Sequence, residues 1–400
     1  MQKQMRESDH RAPREAVVLA DRLKLIRPFY AMAMLDQAKR LEAQGKHIIH
    51  MEVGEPDFVT AAPIIAAATQ ALQEGRVHYT AATGLPALRE SIASHYQHRY
   101  LKAVLPGQVM ISTGASGALI LALAAILNPG DEVLMADPGY PCNKNFVQLF
   151  AAKAVEIAVG EPQNFQLCID SVQRHWTEKT KLVMLASPSN PTGTVISPQA
   201  LNKIAAWVEA QGAWLVVDEI YHGLVYDTSL ETAALTNAHT IVVNSFSKYY
   251  GMTGWRLGWL VAHENIIDKI DVLAQNMFLA PPTVAQYAAL ACFSEASQQI
   301  LQQRCAIFQQ RRDYLHAELQ SLGFDMYASP AGAFYLYVGC EKFSKDSMAF
   351  CQALLQEAGV ATTPGADFGD YQADRHLRFA YTTTMNELEQ AVDRLQKYLA

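Results

Sequence analysis

Lys248 stands in the stretch SFSKYYGMTGWRLGW, Ser245 to Trp259, directly after the apolar run TIVVN. A lysine beside a buried strand end is expensive. Partly desolvated near other cations, its amine is neutral and nucleophilic, and such amines form Schiff bases with carbonyls. A solvated loop lysine is the plain alternative. Ser245 and Ser247 place hydroxyls just before it, and Arg256, eight residues on, offers a fixed cation suited to a phosphate dianion or to an ordinary ion pair. Asp218 and Glu219 end the apolar run AWLVV in DEIYHGLVY, which also carries Tyr221. A carboxylate there needs a facing cation or donor, unless it only caps a helix.

Three further stretches end apolar runs in the same way. TGASGAL leads into a helix, so the amides of Ala115 and Ser116 and the Ser116 hydroxyl could hold a phosphate at the helix N-terminus; a tight strand-to-helix turn explains it equally. DPGYP presents Tyr140 on a braced loop, for stacking on a planar ligand or for packing. SNPTG puts Asn190 before a proline in a turn. Together these make phosphate donors, a stacking aromatic, a carboxylate able to pair with a ring nitrogen and an imine-forming lysine, which are the parts needed to bind pyridoxal 5′-phosphate.

Seven apolar runs position these residues: QVMIST, DEVLMA, KAVEIAV, KLVMLAS, AWLVVDE, TIVVNS and RLGWLVA. They alternate with helical patterns, the signature of an α/β domain with a mostly parallel sheet of seven strands, and most are uninterrupted by charge, as strands buried on both faces should be. Ligands of such sheets bind beyond the carboxyl ends of the strands, where every residue named above falls. From about Pro282 the pattern becomes a long helical stretch. The runs GAFYLYVG and HLRFAYT and a terminal helix then imply a smaller α+β domain, made discontinuous if residues 31–65 join it. The expected division is an N-terminal arm over 1–30, small-domain residues 31–65, a large cofactor domain over 66–290, and an interdomain helix with the rest of the small domain over 291–400.

Composition narrows the function classes. A formal charge of −7 gives no basic field for nucleic acid. The six cysteines are scattered, without metal-ligand pairs or the density of a disulfide scaffold, and the twelve histidines show no metal spacing. A polar N-terminus and the lack of a run of about 18 apolar residues lead to the expectation of a soluble, cytoplasmic protein with no membrane partner.

Over most of its length, from MEVGEPDF to HLRFAYT, the chain resembles the class I and II aminotransferases of the fold type I pyridoxal-phosphate enzymes, the aspartate aminotransferase superfamily. The anchors are YTAATGLPALRESIA, TGASGAL, DPGYP, SNPTGT, VVDEIY, SFSKYYGMTGWRLGW and the late LRF, in family order. The resemblance implies Lys248 as the Schiff-base lysine and proton carrier, and Asp218 as the partner of the pyridine nitrogen. It implies Asn190 and Tyr221 on the cofactor's phenolic oxygen, Ala115, Ser116, Ser245 and Arg256 around the phosphate with Ser247 beside them, and Tyr140 stacked on the ring. Arg378, with the Gly54 amide and Asn190, would clamp the substrate carboxylate. Tyr79 would reach the phosphate of the neighbouring subunit of a homodimer. Phe29, Tyr30 and Phe334 are expected in the side-chain pocket. Gln275 and Ser116 stand where some aspartate-using members carry cations, which leaves alanine-, branched-, aromatic- or methionine-like donors open. The expected activity is amino-group transfer from an L-amino acid to a 2-oxo acid by a ping-pong cycle. A carbon-sulfur β-lyase on the same fold is the nearest rival.

Overall fold

The computed structural model describes residues 19–327 and 330–400. The expected N-terminal arm therefore lies, as far as residue 18, outside the described residues. Each of the seven apolar runs forms a strand of one sheet. The order across it is Val109–Ser112, Gly258–Val261, Thr240–Ser245, Trp214–Asp218, Thr180–Ala186, Glu132–Asp137 and Lys153–Ala158. All neighbours are parallel except Gly258–Val261, which runs antiparallel to both of its neighbours. The interior Thr240–Ser245 strand is buried at every position, which is why its sequence shows no polar alternation.

A three-stranded antiparallel sheet, ordered Thr363–Pro364, His376–Ala380, Tyr335–Gly339, lies at the C-terminal side of the sequence. The helix Glu295–Leu322 precedes it, opened by the Ser294 hydroxyl accepting from the Ser297 amide and closed by Gly323 in the left-handed conformation, with φ of 96°. The short strand Ile49–His50 pairs in parallel with Val360–Ala361, so an early segment is held by a late one. That pairing leads the chain directly into Glu52 to Gly54, which border the site described below.

His50 braces this junction. Its Nδ1 lies 2.7 Å from Glu52 Oε1 and its Nε2 lies 3.2 Å from Glu42 Oε1. The hydrogen bond and charge of Glu52, helped by Glu42, overcome partial burial and push the imidazole up to about 9. Because the folded value is raised above the ordinary 6.5, the stabilisation is fully present below about pH 6.5 and is lost as pH rises through about 9. The wild-type melting temperature should therefore fall between pH 7 and 10 by more than that of His50→Gln, which starts lower at pH 7. Parallel melting curves of the two proteins over that range would remove His50 from the account.

Candidate active site

The carboxyl ends of the central strands open into a cavity of about 390 Å³. Its wall includes Gly54, Ala115, Ser116, Tyr140, Asn190, Asp218, Tyr221, Ser245, Ser247, Lys248, Arg256 and Arg378, so twelve of the thirteen residues expected to hold the cofactor or the substrate carboxylate meet at one place. Tyr79 does not; it is 81% exposed on the described chain.

One end of the cavity is built for an anion. The helix Gly114–Ile126 starts there, with its first amides unpaired by the helix and Ala115 and Ser116 in its first turn. Gly114 is left-handed, with φ of +71°, and a Cβ at that position would lie 2.5 Å from Arg256 Nη2. Only glycine lets the guanidinium come so close to the helix start. Arg256 itself holds a left-handed backbone, φ 53°, a strained conformation of the kind found at ligand sites. Its Nη1 donates to the Thr253 carbonyl at 3.0 Å and reaches the Ser247 hydroxyl at 3.4 Å. The Ser245 hydroxyl donates to the Leu257 carbonyl at 3.2 Å, lies 3.0 Å from Ser247 Oγ, and accepts from the Ser247 amide.

Deeper in, Asp218 ends the Trp214–Asp218 strand almost wholly buried. Burial pushes its carboxyl up to about 6, against the opposing pull of the Ile220 amide, which donates to Oδ1 at 3.0 Å, and of the Lys248 charge. Among the described residues that amide is the only hydrogen-bond partner of the side chain. A cationic ring nitrogen would complete it. Lys248 projects between these two ends, where Nζ donates to the Gly54 carbonyl at 2.7 Å and lies 5.9 Å from the centre of the Tyr221 ring.

The third charged group, Arg378, is buried on the strand His376–Ala380. Nη1 donates to Asn190 Oδ1 at 2.8 Å and Nη2 to the Glu52 carbonyl at 2.5 Å, with Thr363 Oγ1 at 3.4 Å. Its Nε is buried without a partner. A buried guanidinium whose fixed bonds leave N–H groups over is a receptor for a carboxylate. Because the Asn190 oxygen is used by Arg378, the amide nitrogen is the end of that side chain left for a ligand.

The anion cup, the buried carboxylate, the lysine between them and the separate guanidinium therefore fit pyridoxal 5′-phosphate together with an amino-acid carboxylate. Of the three aromatics expected in the side-chain pocket, Phe29 lines the cavity, with Ala31, Met32 and Val53 beside it. Tyr30 does not line it; its backbone amide donates to Asp367 Oδ1 at 2.6 Å at the start of the helix Tyr30–Glu42. Phe334 is in the core, edge-on to Tyr221 at 5.4 Å, because successive residues along an extended chain face opposite ways and its neighbour Tyr335 takes the cavity side. Tyr335 was missed, although the period-two pattern of GAFYLYVG opposite HLRFAYT contained it. Gln275, exposed on the helix Glu264–Met277, donates instead to Asp271 Oδ2 at 2.8 Å.

A strand-end cavity of this kind in a mostly parallel sheet defines a cofactor-dependent enzyme of the fold type I architecture. The chain belongs to the aminotransferases of class I and II, whose family model matches residues 46–395. It is 38% identical over 387 residues to the valine–pyruvate aminotransferase of Mycobacterium tuberculosis, covering 95% of this chain and 99% of that one. An aspartate aminotransferase from a Bacillus species is 33% identical, with 96% and 99% covered. Among solved structures, an aminotransferase from Mycobacterium tuberculosis superposes with a TM-score of 0.93 at 36% identity, over 96% of this chain and 99% of that one. The protein is thus a pyridoxal-phosphate-dependent enzyme that transfers amino groups.

Proposed function

We propose that the enzyme moves the amino group of a neutral-side-chain L-amino acid to a 2-oxo acid by a ping-pong cycle, with the cavity residues in the roles their positions favour. When bound, pyridoxal phosphate supplies a carbonyl that condenses with amines and a ring that accepts the electron pair released at the substrate α-carbon. Lys248 Nζ would hold the cofactor covalently at rest and, once displaced from it by the substrate's amine, would be the free base that carries the α-proton. Asp218 keeps the ring nitrogen protonated. Asn190 and Tyr221 would donate to the phenolic oxygen, and Tyr140 would stack on the ring. Ala115, Ser116, Ser245, Ser247 and Arg256 hold the phosphate, and Arg378 with Gly54 and Asn190 orients the substrate carboxylate.

The observation that carries the substrate class is the charge inventory of the wall. Among the described residues the cavity's cations are Lys248, Arg256 and Arg378, each already committed, while Phe29, Ala31, Met32 and Val53 supply apolar surface. A second carboxylate on the donor would be desolvated without a partner, whereas an aliphatic or aromatic side chain would be favourably buried. The likeness to a valine–pyruvate aminotransferase supports the same reading. With pyruvate as acceptor, kcat/KM for valine, leucine or alanine should exceed that for aspartate by about tenfold or more. Aspartate as the best donor would overturn the assignment.

We place the enzyme in the cytoplasm as a homodimer in which Tyr79 reaches the phosphate of the neighbouring active site. Six free cysteines support the reducing compartment, and the exposed Tyr79, Val59 and Val77 support a subunit contact. Among the described residues no helix is long and apolar enough to cross a membrane. The proposed division falls at residues 30, 65 and 290, and the pairing of Ile49–His50 with Val360–Ala361 supports joining residues 31–65 to the C-terminal small domain.

A further inference from the structure

Tyr335 touches three parts of the site at once. Its hydroxyl lies 2.8 Å from the Tyr221 hydroxyl. Its ring lies beneath the Arg378 guanidinium, whose central carbon is 4.2 Å from the ring centroid. A Cβ on Gly54 would come within 1.8 Å of the Tyr335 oxygen, so the backbone whose carbonyl accepts from Lys248 Nζ is pressed against the same hydroxyl. The strand pairing produces this arrangement. Arg378 sits directly opposite Tyr337, and Tyr335, two residues along, falls on the same face as its diagonal neighbour.

We infer that Tyr335 is a positioning residue that sets the direction of the Tyr221 hydroxyl and the plane of the Arg378 guanidinium, coupling the cofactor end of the site to the carboxylate clamp. The inference rests on the proposed role of Tyr221. A phenol has one proton, so a Tyr221 that donates to the cofactor's phenolic oxygen can only accept from Tyr335. The two hydroxyls then form a chain running one way, from Tyr335 through Tyr221, and each bond strengthens the next. Stronger donation from Tyr221 favours the ionised phenolic oxygen and lowers the pH at which it titrates. The ring of Tyr335 acts separately, as a flat surface fixing the fork of Arg378.

The two functions separate by substitution. In the holoenzyme, Tyr335→Phe removes the hydroxyl and keeps the ring. It should raise the midpoint of the pH-dependent visible absorbance change of the bound cofactor by about one unit, with KM for amino and oxo acids changed less than about threefold. Tyr335→Leu removes both, and should add a rise of about tenfold in both KM values. Tyr221→Phe is the control and should move the midpoint at least as far as Tyr335→Phe. If Tyr221→Phe moves it while Tyr335→Phe stays within about 0.2 unit of wild type, the relay is wrong and the assignment of Tyr221 stands. If neither variant moves it, the assignment of Tyr221 falls and the relay with it. Should the leucine variant not fold, the phenylalanine variant, which differs by one oxygen atom, still decides the relay.

Discussion

Lys248→Ala should lower amino transfer by on the order of 10³-fold or more, because one side chain then ceases both to hold the cofactor covalently and to carry the proton. No other lysine lines the cavity among the described residues, so no neighbouring amine can substitute. Cofactor affinity should survive in good part, since the phosphate end formed by the Gly114–Ile126 helix start, Ser245, Ser247 and Arg256 is untouched, as is Asp218. Two readouts therefore move apart: turnover collapses while pyridoxal phosphate still binds. Borohydride reduction of the wild-type holoenzyme should add the pyridoxyl phosphate mass to the peptide containing Lys248, and a small primary amine added to the variant should restore part of the activity. Turnover within threefold of wild type in the alanine variant would remove Lys248 from the chemistry.

Arg378→Lys should cost about 10²-fold or more in kcat/KM, from the roughly 2–5 kcal/mol typical of a desolvated, hydrogen-bonded charge pair. Lysine keeps the charge but not the planar fork. The existing bonds to Asn190 and the Glu52 carbonyl hold the guanidinium in one plane at the cavity wall. Both halves of the cycle present a carboxylate to the same fork, so the amino acid and the oxo acid should lose to a similar extent. Cofactor loading should not change. A penalty confined to one of the two substrates would mean that Arg378 reads something other than the shared α-carboxylate.

Much of this site was legible before any coordinates, and the physical reason is local. Strands buried on both faces read as unbroken apolar runs, and in a parallel sheet the residues just beyond those runs must converge, so Asp218, Ser245, Lys248 and Asn190 could be placed without knowing the strand order. Arg378 lies some 120 residues beyond that sheet's last strand, on a separate three-stranded sheet, and its role came from the resemblance rather than from any local pattern. Two-residue strands such as Ile49–His50 and Thr363–Pro364 are too short to show a period, although one introduces Gly54 and the other flanks Arg378. The slip between Phe334 and Tyr335 is of another kind. A displacement of one residue in an extended segment exchanges core for cavity, and composition cannot tell two adjacent aromatics apart. Tyr79 stands exposed on the described chain, and its proposed place at a subunit contact came from the resemblance alone.

The central claim, that the enzyme passes an amino group through its cofactor on Lys248, is tested most directly by the visible absorbance of the holoenzyme during addition of a neutral L-amino acid alone. The band of the lysine-bound cofactor should disappear in a stoichiometric half-reaction with release of one oxo acid per site, and pyruvate should restore it. A band that persists while ammonia and oxo acid accumulate would contradict amino transfer and favour a carbon-sulfur β-lyase instead.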